Sequence, residues 1–93
     1  MIKLLEKVDF EGEDIFVGMD VHLSSWDISL YHNGHYLKSF HQQPQVKLLI
    51  SYLQKNYPNG QYYCAYEAGF CGFWLQRALQ EHGVNCIVVN PAD

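Results

Sequence analysis

At 93 residues the chain makes one domain at most, and a chain of that length buries about 60% of the surface it exposes unfolded, enough for a real core. A composition of 48% hydrophobic, 15% aromatic and 17% charged residues excludes disorder, and a net charge of -4 with six Lys and Arg excludes a protein that coats nucleic acid through a basic face. Cys64, Cys71 and Cys86 are odd in number and lack C-x-x-C spacing, so neither a disulfide framework nor a zinc site is indicated.

No long apolar run and no signal-peptide segment is present, so the expectation is a soluble, cytoplasmic protein with buried thiols and no membrane partner. Residues 1–14 mix apolar and charged side chains without a period and read as a loosely packed leader, leaving 15–93 as the folded unit. Residues 15–22, IFVGMDVH, alternate as a strand with Ile15, Val17, Met19 and Val21 on one face and Phe16, Gly18 and Asp20 on the other. An Asp is a poor strand former and costly to bury alone, so a strand that ends in one gives it a task or a partner. Residues 25–31 alternate in the same way as a second strand.

Asn33-Gly34 follows, the pair that best accepts the positive φ angles of a type I′ hairpin turn, and residues 35–40 form the third strand. A two-residue loop with regular pairing sets Tyr31 opposite Tyr36, Leu30 opposite Leu37 and Ile28 opposite Ser39. Pro44 suits a first helical turn, and Val46, Leu49, Ile50, Leu53 and Tyr57 recur at helical spacing, which predicts a helix over 45–56. Pro58-Asn59-Gly60 stops it. The aromatic run at 61–67 predicts a strand ending in Glu67. A second helix is predicted over 70–82, with Cys71, Trp74, Leu75, Ala78 and Leu79 on one side and Gly83 at its C-terminal turn. Residues 84–89 form a last apolar strand that Asn90-Pro91 ends.

The order β-β-β-α-β-α-β builds a mixed α/β sheet of five strands flanked by helices, with ligand sites expected at the carboxyl ends of the parallel strands. Asp20 and Glu67 end two of those strands, and small residues, Gly18 and Ala65, precede each by two. Two carboxylates brought together resist joint ionisation unless a cation lies between them, and oxygen-only ligation suits magnesium or manganese. The bland alternative is a pair of solvated strand-end acids. Gly69 and Gly72 either let backbone N–H groups approach a phosphate or permit a tight turn. His22 reads as a loop histidine without a required role, His32 and His35 as hairpin positions, Asp27 as a surface residue, and Trp26, Phe73 and Trp74 as core aromatics rather than base-stacking platforms.

Four segments, FVGMDVH, WDISLYHNGHYLKSF, CAYEAGFCGFWLQRALQEHG and CIVVNPAD, together resemble the N-terminal part of the DEDD transposases, insertion-sequence recombinases related to the Piv invertases. The resemblance covers nearly all of 15–93. It implies a RuvC-like, ribonuclease H-like fold with sheet order 3-2-1-4-5, whose four acids bind Mg2+ or Mn2+ and help to cut and rejoin DNA. By motif position Asp20 is the first acid and Glu67 the second, each a catalytic and metal-ligating residue. The third and fourth acids of that family lie in a D-x-x-D motif beyond the VNPAD segment, and Asp93 belongs to VNPAD rather than to the acidic set. The resemblance thus implies that this is an incomplete catalytic domain, inactive alone. The parent would take DNA and a guide RNA as partners, form a homo-oligomer and work in the nucleoid of a bacterium or archaeon.

Two other readings stay open. An actin-like or sugar-kinase nucleotide-binding domain also starts with a Gly-x-Asp strand, although it places a small Gly-Thr or Gly-Ser pair where Val21-His22 stands here. A non-catalytic interaction module is the third.

Overall fold

The computed structural model describes residues 9–67, 69 and 72–89. Five strands and two helices follow in the expected order: β1 Asp14–Val21, β2 Trp26–His32, β3 His35–Gln42, α1 Val46–Asn56, β4 Gln61–Glu67, α2 Trp74–Glu81 and β5 Asn85–Val89. They form one mixed sheet in the order β3-β2-β1-β4-β5, as the sequence predicts. β1 pairs antiparallel with β2, β2 antiparallel with β3, and β4 parallel with both β1 and β5. Among the described residues no helix is long and apolar enough to cross a membrane.

This topology decides where the helices go. β3 runs parallel to β4, so β3-α1-β4 and β4-α2-β5 are both crossovers between parallel strands, and both travel in the same direction across the sheet. Right-handed crossovers of one direction put both helices on one face. The core accordingly lies on that face alone. Ile15, Val17 and Met19 of β1, Trp26, Ile28 and Leu30 of β2 and Tyr62, Cys64 and Tyr66 of β4 pack with Leu49, Ile50 and Leu53 of α1 and Leu75 and Leu79 of α2. Among the described residues both helices thus cover the same side of the sheet.

The helices differ from the sequence reading at their starts. Gln45 is the N-cap of α1, with extended backbone, so Pro44 stands before the helix instead of in its first turn. In α2, Gly72 has φ +54°, which keeps the chain out of right-handed helix until Phe73, and the helix begins at Trp74 rather than at 70. Phe70 and Cys71 lie outside the described residues. Phe73 and Trp74, both expected in the core, are 54% and 48% exposed. Tyr66 does a cap's work for this helix: its hydroxyl accepts the N–H of Gln76 (3.1 Å) and donates to the carbonyl of Gly72 (2.7 Å). At the other end Gly83, φ +83°, donates to Gln80 O while Val84 N donates to Leu79 O, the paired bonds of a Schellman turn.

Of the leader, residues 1–8 lie outside the described residues, while Asp9 to Glu13 are tied down. Phe10 N donates to Pro58 O, Gln61 N donates to Glu13 O, and the Phe10 ring sits edge-on to His32 and Tyr57. His32 also bonds Glu13 through Nε2 at 2.8 Å. Cys64 and Cys86 are buried register partners on β4 and β5. Burial pushes both thiols up, that of Cys86 to about 11, so both stay protonated and unreactive near neutral pH.

The hairpin departs from regular pairing. Asn33 and Gly34 have φ +53° and +76°, as the turn requires, and Tyr31 does oppose Tyr36. A bulge then follows between Leu30 and Tyr31, so Leu30 opposes Lys38 and Ile28 opposes Phe40, not Leu37 and Ser39. Because strand faces alternate, this one-residue slip exchanges the faces of everything beyond it on β3. Phe40 packs against Tyr52 of α1 with ring centroids 4.4 Å apart, and Leu37 is exposed.

Candidate functional site

The uncovered face is built of the alternate residues of the same strands, and the register arranges them in three rows. Tyr36, Tyr31, Phe16 and Tyr63 form an aromatic row, with Phe16 stacked on Tyr63 at 5.2 Å. Ser39, Ser29, Gly18 and Ala65 form a row of small residues, in which the two serine hydroxyls are bonded at 2.8 Å. The third row holds the charges: His41 opposite Asp27, and Asp27 opposite Asp20.

Glu67 lies at the same level. Gly18 pairs with Ala65 and Met19 with Tyr66, so one further step along the two parallel strands reaches Asp20 and Glu67. Both acids are exposed, on one face, above the two small residues. The strand parity read from the sequence thus holds at both positions. The glycine-containing loop after Glu67 is only partly described, since Ala68, Phe70 and Cys71 lie outside the described residues, as do Asn90 to Asp93.

Three residues that the sequence reading left without a role join this end of the sheet. The β1-β2 turn, closed by a bond from His22 N to Ser25 O (3.0 Å), folds His22 back over the strand ends. Its Nε2 stands 3.4 Å from Asp20 Oδ2 and 3.7 Å from Asp27 Oδ2. His41 Nδ1 bonds the other oxygen of Asp27, Oδ1. Asp27 read as a surface residue because nothing local marks it, and His41 reaches it only through the bulge, which no turn rule predicts. The signal available for Asp27 was its parity with Ser29 and Tyr31, which sets it on the face of Asp20.

A hard divalent cation fits this donor set: the carboxylates of Asp20 on β1 and Asp27 on β2 meet around His22 at one end of the sheet, Glu67 ends the adjacent β4 on the same face, and Asp20 is 71% exposed, leaving room for water or a substrate oxygen beside the protein ligands. Among the described residues, Asp20, His22 and Asp27 are the group of three whose ligand atoms all lie within 4.8 Å of one another.

No family model matches the chain. It is similar to the transposase for insertion sequence element IS1533 of Leptospira borgpetersenii, 35% identical over 82 residues that cover 83% of this chain. The chain spans 23% of the length of that relative. It is thus related to one region of a transposase.

Proposed function

We propose that this region is the first part of a DEDD-type, RuvC-like catalytic domain, in which Asp20 and Glu67 hold Mg2+ or Mn2+ for cutting and rejoining DNA. The observation that supports the reading is the register of β1 and β4, in which Gly18 pairs with Ala65 and two further residues along each strand reach Asp20 and Glu67 on the same face. Similarity to a transposase region supports DNA as the substrate.

In such a site the cation, when bound, stabilises charge on the attacking and leaving oxygens of a phosphodiester. This chain's own residues supply the rest. Asp20 and Glu67 would provide anionic oxygens from two adjacent, hydrogen-bonded strands, whose backbone register sets where the two side chains start. Gly18 and Ala65 keep the surface beneath them low, so a bulky polyanion can approach. The net charge of -4 opposes that approach and makes cation binding a condition of it.

Completion of the acidic set by two further aspartates, a guide RNA partner and a homo-oligomer belong to the parent protein in this reading. The 93-residue chain by itself folds but does not cut DNA, because one or two carboxylates hold magnesium weakly. A nucleotide-binding domain of the actin or sugar-kinase type is disfavoured by Val21-His22, which stand where such domains place a small Gly-Thr or Gly-Ser pair.

The test is a cleavage assay on the longer protein containing this region, with its DNA target. Strand cutting that requires Mg2+ or Mn2+ and stops with chelator is expected. ATP hydrolysis without DNA cutting would replace this reading with the nucleotide-binding one.

A further inference from the structure

Asp20 and Asp27 face each other directly across β1 and β2. Like charges at that spacing destabilise a sheet unless something offsets them, and two imidazoles have been brought to the same place by separate devices. The β1-β2 turn delivers His22, and the β3 bulge delivers His41.

The distances distinguish what His22 does there. At 3.4 and 3.7 Å from the two carboxylate oxygens, its Nε2 is beyond the usual N–H···O range of about 2.7–3.2 Å. Donor atoms that share a metal, each about 2.1 Å from it, are themselves separated by about 3.0–3.4 Å in octahedral or tetrahedral geometry. The shorter of the two His22 separations matches such an edge, the longer exceeds it by about 0.3 Å, and the ligand atoms of all three residues lie within 4.8 Å of one another. Asp27 is prepared in a further way: His41 holds Oδ1, which leaves Oδ2 directed at His22, the arrangement by which a second ring of hydrogen bonds orients a ligating carboxylate.

We infer that Asp20, His22 and Asp27 form a mixed nitrogen and oxygen site for a divalent transition-metal ion, oriented by His41 and selecting Mn2+ over Mg2+. The imidazole is the source of that selectivity, since nitrogen ligands favour transition metals while carboxylates alone serve magnesium equally well. The site extends the metal reading above through Asp20 but requires neither Glu67 nor DNA. It also differs from that reading in its ligands, which come from β1, β2 and the turn between them.

The experiment measures Mn2+ and Mg2+ affinities of the 93-residue chain and its variants by calorimetry, with long-range 1H–15N correlation spectra reporting the imidazole nitrogens. The expected result is Mn2+ binding about tenfold or more tighter than Mg2+, with selective loss of the His22 Nε2 signal. In His22→Ala that preference collapses while Mg2+ affinity stays within about threefold, and Asp27→Asn weakens both ions about tenfold. His41→Ala lowers affinity less than Asp27→Asn does. Unchanged Mn2+ affinity in both His22→Ala and Asp27→Asn would overturn the inference, as would equal affinity for the two ions in the parent chain. Glu67→Gln separates the two readings. If it alone weakens both ions, the carboxylate pair stands and the mixed site falls; if it changes nothing while His22→Ala does, the mixed site stands without the pair.

Discussion

On the helix-covered face of the sheet, Ile15, Val17 and Met19 are buried against Leu49, Leu53, Leu75 and Leu79; on the open face, their immediate neighbours Phe16, Gly18 and Asp20 meet solvent. One strand supplies both sets, and it divides them by residue parity. Burial of apolar surface, at about 25 cal/mol per Å2, accumulates on the first face alone, so stability resides there. The open face is left free to hold groups that stability would exclude, among them three carboxylates and two imidazoles at one edge. Buried apolar and exposed polar roles therefore alternate residue by residue along the same strand.

The largest effect expected from that division is on the covered face. Leu53→Ala removes a fully buried side chain from α1 and should cost about 2–5 kcal/mol, read from the urea unfolding midpoint. Phe16→Ala, one layer away on the open face at 46% exposure, should cost about 1 kcal/mol or less. Equal losses would show that the open face is packed too, and would break the comparison.

A smaller effect sharpens it within β3. The bulge assigns Phe40 to the covered face and Leu37 to solvent, whereas regular pairing from the Asn33-Gly34 turn assigns them the other way. Phe40→Ala should lose about 2 kcal/mol, less than a fully buried Phe, and Leu37→Ala under about 0.5 kcal/mol. The reverse ranking would mean that the strand pairs regularly and that His41 does not reach Asp27.

These two tests also mark where the sequence could be read and where it could not. Element order, the positive φ of Asn33 and Gly34, the Gly83 helix stop and the strand parity of Asp20 and of Glu67 follow from periods and turn chemistry carried by neighbouring residues, while the strand order that sets the two acids side by side comes with the family resemblance. The bulge does not, because an extra residue in β3 is decided by whether Phe40 or Leu37 fills the space beside Tyr52, and that space exists only once α1 has docked. His22 and His41 were obscured for the same reason. Each is local to a turn or a bulge, while its partner, Asp27, belongs to a different strand. Trp74 misled in the opposite sense, since its helical spacing matched Leu75 and Leu79 but α2 begins at that residue and turns it outward.

The joint role proposed for Asp20 and Glu67 in DNA cutting and rejoining leaves the fold independent of both side chains. Its most direct test is recombination by the longer protein carrying Asp20→Asn or Glu67→Gln, with folding followed by circular dichroism. Each amide keeps the shape of the side chain and removes the charge that attracts a cation, and loss of metal stabilisation in phosphoryl transfer is worth several kcal/mol, or about a thousandfold in rate. Recombination should fall below detection in both variants with the spectrum and unfolding midpoint unchanged, because neither side chain is buried. Recombination near the parent level in a folded Asp20→Asn protein would contradict the account.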